Sequence, residues 1–287
     1  MHIDPLRSVV SDRLAVTGII ILLAIVLLAV LAPVLSVFPP NVYTGLVFSP
    51  PSLSHLLGTD SMGQDIWSRL LYGARTTLMV AFGVSLISVS LSILVGASAA
   101  LLGGICDSFS MRIVDAMSSI PPMLFMILMA TYFRPNLVVM IFLISILSWP
   151  RGARIIRSQV LSLKERGHIY ASRTFGAGPG HILKTHIIPE LGPLLTAIMI
   201  QDARSAVFME TGMGFLGITD PMAISWGKMM HQALEFTYLD VWKWWLLPVG
   251  FAFSLTLMGL SFIGSSLERA MDPRLAEEPA DGGQEQC

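Results

Sequence analysis

From Leu14 to Ser36 the chain runs for more than 20 residues without one charged side chain, almost all of them Leu, Ile, Val and Ala. At about 1.5 Å per residue, a helix of that length crosses the roughly 30 Å of hydrocarbon in a bilayer. Arg7 and Arg13 precede the run, which is too long for the apolar core of a cleaved leader, and Ala32-Pro33 is a poor cleavage context. The expectation is an anchor that stays as the first span. Five further spans are expected by the same rule: residues 77 to 102, 112 to 133 with a kink at Pro121-Pro122, 137 to about 157, 191 to 211, and 244 to 266. Arg151 and Arg154 lengthen the fourth by snorkelling. The fifth carries Asp202, Arg204 and Glu210.

Composition agrees with an all-α membrane protein of six transmembrane helices. Of 287 residues, 54% are hydrophobic and 13% are charged, about half the roughly 25% of an ordinary soluble domain. No stretch is long enough to bury a soluble core of its own. The net charge of -1 gives no field that would draw nucleic acid. Cys106 and Cys287 are the two cysteines, so a disulfide framework is not expected, and both fall on the cytoplasmic side in the orientation below.

Orientation follows from basic residues. Of the 18 Lys and Arg, twelve fall in the two tails and in the loops between spans two and three and between four and five. Those segments are therefore expected inside, with both termini cytoplasmic. The organisation is then a tail over 1–13, a first span over 14–36, an extracytoplasmic loop over 37–75, and a core over 76–266. A cytoplasmic loop over 151–190 interrupts the core, and a tail over 267–287 follows it, with its last residues, 277–287, expected to be disordered. No internal repeat is visible.

The loop over 151–190 is long, and long ordered loops are usually functional. It reads Tyr170-Ala171-Ser172, then Gly176-Ala177-Gly178, then Pro189. Small Ala and Ser on a short helix permit close approach of a flat surface, Gly176 permits a positive-φ turn, and Pro189 suits the opening of the next helix. Helix, turn, helix on the membrane face would dock a soluble partner. An ordinary re-entry loop punctuated by Gly and Pro has the same spacing, and spacing alone leaves both open.

The pattern resembles the EAA loop of ABC importer permeases, E-A-A-x-x-x-G with a later L-P, Ile188-Pro189 standing in the last role. Tyr170 departs from the family's usual Glu. Leu56-Leu57-Gly58-Thr59-Asp60, with Gly63, Asp65, Ser68-Arg69 and Tyr72-Gly73-Ala74-Arg75, is similar to the outer-loop pattern of the peptide, opine and nickel branch. His55 stands one residue nearer than that pattern's His, and Gln64 replaces its Arg. Glu210 with Phe215-Leu216-Gly217 and Ser225-Trp226-Gly227, and the closing Asp272-Pro273-Arg274-Leu275, resemble the same branch. A short first span and a modest outer loop fit its C-type permease.

That resemblance implies a type I importer permease at the plasma membrane. Tyr170, Ala171, Ser172, Gly176, Ala177, Gly178 and Pro189 would form the surface that couples to an ATPase. Its partners would be a homologous B-type permease, two ABC ATPase subunits, an extracytoplasmic solute-binding protein and lipid. ATP and Mg would bind to the ATPases, with no cofactor or metal in this chain. The solute would be a di- or oligopeptide, or alternatively nickel or a nickel chelate.

Asp202, Arg204 and Glu210 are costly within a membrane and are candidates for lining the pathway or the permease interface. Gly212-Met213-Gly214-Phe215-Leu216-Gly217 mimics a dinucleotide or phosphate loop, but Ile218 stands where Lys is needed and no strand precedes it. The 17 Met residues lack clustered His or Cys and read as packing. His55 and His231 are far apart in sequence, and His168, His181 and His186 read as hydrogen-bonding or solvent-facing. Two other classes are weighed against the permease. An intramembrane hydrolase would need a His for Ser265 or Ser266. A secondary transporter could use Asp202 and Glu210 as proton sites, but has no need of the docking loop.

Overall fold

The computed structural model describes residues 12–133, 135–220 and 222–271. Asp272 to Leu275, the tail beyond, Arg7, Arg134 and Cys287 lie outside the described residues. Among the described residues every regular element is a helix, apart from one isolated bridge between Thr59 and Asp65, and the segment from Ser36 to Asp65 is turns and coil.

Helix α1 spans Arg13–Val30, capped by Asp12, whose side chain accepts from the Leu14 N–H. The same carboxylate receives Arg269 at 2.9 Å, which ties the start of α1 to the end of the last helix. Helix α2 covers Ile66–Leu102. It begins about ten residues before the expected second span, inside the segment expected to be loop up to residue 75. The cause is local: Asp65 caps it by accepting the Ser68 N–H at 2.8 Å. At 37 residues it is about 55 Å long and overshoots the bilayer's hydrocarbon on one side.

The expected third span is two helices, α3 over Gly104–Ser118 and α4 over Pro122–Phe133, bent by 75°. Consecutive Pro121 and Pro122 remove two N–H donors, and each ring crowds the carbonyl four residues earlier, so a break replaces the expected kink. Asp107 on α3 receives Arg157, Nη2 to Oδ2 at 2.6 Å, and Asp115 receives Arg154 at 2.8 Å.

Helix α5, Leu137–Leu163, runs through Pro150 without breaking and outlasts the expected span. It then meets α6, Gly167–Thr174, and α7, Pro179–Ile182. A π turn over Leu183–Ile187 leads into α8, Ile188–Phe215. Helix α9 covers Trp226–Leu234, and α10 covers Leu246–Met271. Among the described residues four helices are long and apolar enough to cross a membrane, five if the bent pair counts as one. Helix α8 is long enough but too polar to join them; of its ionisable residues Asp202 and Glu210 are buried and Arg204 is half-buried.

The most extensive seam joins α2 to α5. A Cβ built on Gly96 would stand 2.4 Å from the Ala153 carbonyl oxygen, and one on Gly152 2.5 Å from Ser92 Oγ. Ser92 Oγ meanwhile donates to the Trp149 carbonyl at 2.8 Å, a hydrogen bond across the seam. Small residues let the two backbones touch where lipid offers no hydrophobic drive. Helices α1 and α10 meet likewise at Gly18 and Gly259. Outward, α1 shows Ile20, Leu23, Leu27 and Val30, and α2 shows Phe82 and Leu94, the apolar coat a bilayer requires.

Candidate functional site

At one end of the bundle, α6 and α7 form a platform. Ile169 and Ile182 are buried from below with Ile156, Val160, Leu163, Ile187 and Leu191. Glu190 at the base of α8 receives both Arg166 and His168 at 2.8 Å, which clamps the start of α6. Ser172 Oγ lies 3.4 Å from His186 Nε2, so two of the loop's histidines are engaged in hydrogen bonds. No group of three potential ligands that could hold a metal occurs among the described residues.

The platform ends α6 with a left-handed turn. Gly176 has φ +86°, and the Ala177 N–H donates to the Ser172 carbonyl at 3.1 Å. The outer surface of the platform carries Tyr170, Ala171, Phe175 and Gly178, all exposed, while Ser172 and Ala177 are half-buried. Phe175, 90% exposed, was not among the residues expected to matter. The signal was present in the sequence, an aromatic directly before the turn glycine in an otherwise polar segment.

Pro189 corrects part of an expectation. It stands in the first turn of α8, as expected, but what precedes it is a π turn and not a loop, so helical backbone runs without a gap from Pro179 to Phe215. The π turn makes this possible: the Ile188 N–H reaches back five residues to the Leu183 carbonyl. A widened turn leaves room for the proline ring, which would otherwise strike the carbonyl four residues back. The second half of the platform and α8 therefore form one rod only in the sense of unbroken helical backbone, with the π turn and Pro193 within it.

The three ionisable residues of α8 point to different places. Asp202 is nearly buried beside a cavity of about 210 Å3 that Arg151, Gln201 and Glu268 also line. Its Oδ2 has no hydrogen-bond partner. Arg204 reaches Ser261 on α10 at 3.4 Å. Glu210 is 0% exposed and accepts from Thr77 and Thr211, each at 3.3 Å. Enclosed by its own chain, Glu210 faces neither a pathway nor a partner in this conformation, which corrects that expectation for this residue.

The opposite end is built from the two remaining motif stretches. Asp60 accepts the N–H groups of Met62 and Gln64 at 2.8 and 2.9 Å and pairs with buried Arg69. Asp65 receives His55 at 2.9 Å as well as capping α2. Thr59 Oγ1 donates to the Leu46 carbonyl at 2.6 Å. On the other stretch, Trp226 donates to the Leu70 carbonyl at 3.0 Å, and Gly227 lies so close to Thr211 that a Cβ would stand 2.2 Å from its oxygen. The glycines that mimic a phosphate loop are used here for packing, Gly214 against Gly227 and Gly217, at φ +74°, against His231. Both stretches are clamps that bind α2, α8 and α9 together.

Residues 88–277 match the family model described as binding-protein-dependent transport system inner membrane component. Residues 4–51 match the N-terminal TM domain of oligopeptide transport permease C. A Brucella suis protein named as a peptide permease is 34% identical, over 92% of this chain and 88% of its own length. A peptide transport system permease protein of Brucella abortus is 35% identical, over 95% and 92%. The dipeptide transport system permease protein DppC of Bacillus subtilis is 34% identical, over 95% and 85%. A solved structure of the MetNI methionine ABC transporter, inward facing, is similar over 69% of this chain and 96% of its own, with 22% identity and a TM-score of 0.48. That likeness is too distant to carry an argument. A helical bundle with an apolar coat, a hydrophobic core that encloses a few ionisable groups and a platform at one end is a multi-pass membrane permease. This one belongs to the family of binding-protein-dependent transport system inner membrane components, the permease subunits of ABC importers.

Proposed function

We propose that the imported solute is a di- or oligopeptide and that this chain is the C-type half of the permease, paired with a B-type half. Two ATPase subunits and an extracytoplasmic solute-binding protein would complete the importer, and ATP with Mg would bind to the ATPases. The observation that carries the reading is the agreement of relatives at 34% identity or above, near full length, whose names give peptides. They favour peptide over nickel. Twelve of the basic residues favour a cytoplasmic platform, and an ATPase would press on Tyr170, Ala171, Phe175 and Gly178. Because α7, the π turn and α8 share unbroken helical backbone, displacement of the platform would be carried to Asp202.

The test is uptake by the assembled transporter in proteoliposomes. Labelled dialanine or trialanine should accumulate only with ATP and the binding protein, and excess unlabelled peptide, not nickel, should compete. Nickel accumulation without peptide uptake would overturn the assignment.

Asp202, whose Oδ2 has no hydrogen-bond partner beside the cavity, fits a pathway that opens and closes. Asp202→Asn should lower peptide uptake by about ten-fold, the weight of one charge-assisted contact, with the complex still assembled. If the variant instead loses its partner permease on purification, Asp202 belongs to the interface.

A further inference from the structure

At the end opposite the platform, the segment before α2 and the start of α9 enclose a recess of about 260 Å3. Its polar walls are Asn41, Gln64, Arg69, Lys228 and Gln232, and none of the residues lining it is acidic. Arg69 is more than nine-tenths buried. Its Nη1 is held by Asp60 and Gln64, and its Nη2 donates to Gln232 Oε1 at 3.0 Å. Its Nε–H has no hydrogen-bond partner. A buried donor left without an acceptor is costly unless something supplies one.

The other cation is in place as well. Lys228 Nζ donates to the Ala223 carbonyl at 3.2 Å. Burial pushes its pKa down, and the charge of Arg69 pushes the same way, while Asp220 opposes them. An anion in the recess would relieve both effects. Gln232 Oε1 is committed to Arg69, which turns its NH2 elsewhere as a donor. Guanidinium, ammonium and amide donors around one hollow are the chemistry that holds a carboxylate; Asp60 offsets Arg69 from behind the wall and Asp220 lies near Lys228, but neither lines the hollow.

We propose that this recess binds the carboxylate of a small solute arriving at the outer mouth of the permease, held by Arg69, Lys228 and Gln232. The volume lies just below the roughly 300 Å3 at which whole-molecule sites begin, so it takes one end of a solute. The identity of that solute as a peptide rests on the function proposed above; the carboxylate chemistry does not.

Saturation-transfer NMR on the assembled transporter in nanodiscs, without binding protein, tests this with sodium acetate, dialanine and dialanine amide. Acetate and dialanine should give signals, with the amide about ten-fold weaker than the free acid, as for one lost charge-assisted contact. Lys228→Gln should weaken acetate by a similar factor, and Lys228→Arg should restore it. Asn41→Asp, which places a carboxylate in the wall, should also exclude acetate. Equal binding of acid and amide, or acetate binding unchanged in Lys228→Gln and Asn41→Asp, overturns the proposal. So does a carbodiimide cross-link from Lys228 to a carboxylate of the binding protein, which would assign the recess to a docking side chain. If the transporter proves to import nickel, the peptide reading fails while the acetate result still decides the site.

Discussion

Gly96→Val is expected to abolish the accumulation of properly folded permease. The Cβ alone would stand 2.4 Å from the Ala153 carbonyl oxygen and 3.1 Å from its Cα. These are backbone atoms of α5, so no rotamer change can relieve the clash, and α2 and α5 must separate. Over-packing of a close-packed interior usually costs about 1 to 3 kcal/mol, and an immovable backbone neighbour places this case at the upper end or above. Parting the seam also strands the bond from Ser92 to the Trp149 carbonyl, which lies four residues earlier on the same face. Gly96→Ala introduces the same Cβ and should lower the melting temperature in detergent, whereas Gly250→Ala, with nothing within 4 Å, should not. Fluorescence-detected gel filtration after a temperature series measures both. A Gly96→Val protein that elutes and melts like wild type would show that α2 and α5 do not rely on this contact.

The spans were legible because charge-free runs report where lipid must be met, and that rule placed the starts of α1, α5 and α10 closely, while α1 ends before the expected span and α5 and α10 run on beyond it. It misplaced the start of α2 because a membrane boundary and a helix boundary are different physical events. Arg69 and Arg75 end the apolar run, yet the helix continues past them, since Asp60 neutralises Arg69 inside the protein and Arg75 stacks on Tyr72. The capping signal, Asp65 followed by Ser68, was in the sequence throughout. The break between α3 and α4 was legible in place but not in size, because the angle depends on what each half packs against. Val114 is buried with Trp149 and Ala153, and Met126 with Val80 and Ile144. The small residues Ser92 and Gly96 were visible, but not that Gly152 and Ala153 would meet them, as the pairing exists only in three dimensions. The same holds for Glu210. A lone carboxylate on an apolar helix reads as functional by default, and only the neighbouring Thr77 reveals it as an internal clamp.

Gly176→Val should leave the permease inserted, folded and paired, yet uncouple it. The site differs from Gly96 in kind: nothing lies within 4 Å of a Cβ there, so there is no clash to unfold the bundle. What the substitution meets is the backbone itself, since φ is +86°, a conformation β-branched residues avoid. The strain, about 1 to 3 kcal/mol, falls on the turn between Phe175 and Ala177. Relief requires that turn to change shape, which moves exposed Phe175 and frees α6 from the head of the α7–α8 rod. If the platform couples to an ATPase, substrate-stimulated ATP hydrolysis and peptide uptake should fall together by about ten-fold or more, as 1.4 kcal/mol of lost alignment implies. Asn tolerates positive φ better than other side chains, so Gly176→Asn should recover much of the loss where Gly176→Ala recovers less. A cysteine at Phe175 should cross-link to the ATPase in the otherwise wild-type complex and do so less in Gly176→Val. Normal transport by Gly176→Val together with no cross-link at Phe175 would reduce the platform to a connector and take the coupling mechanism with it.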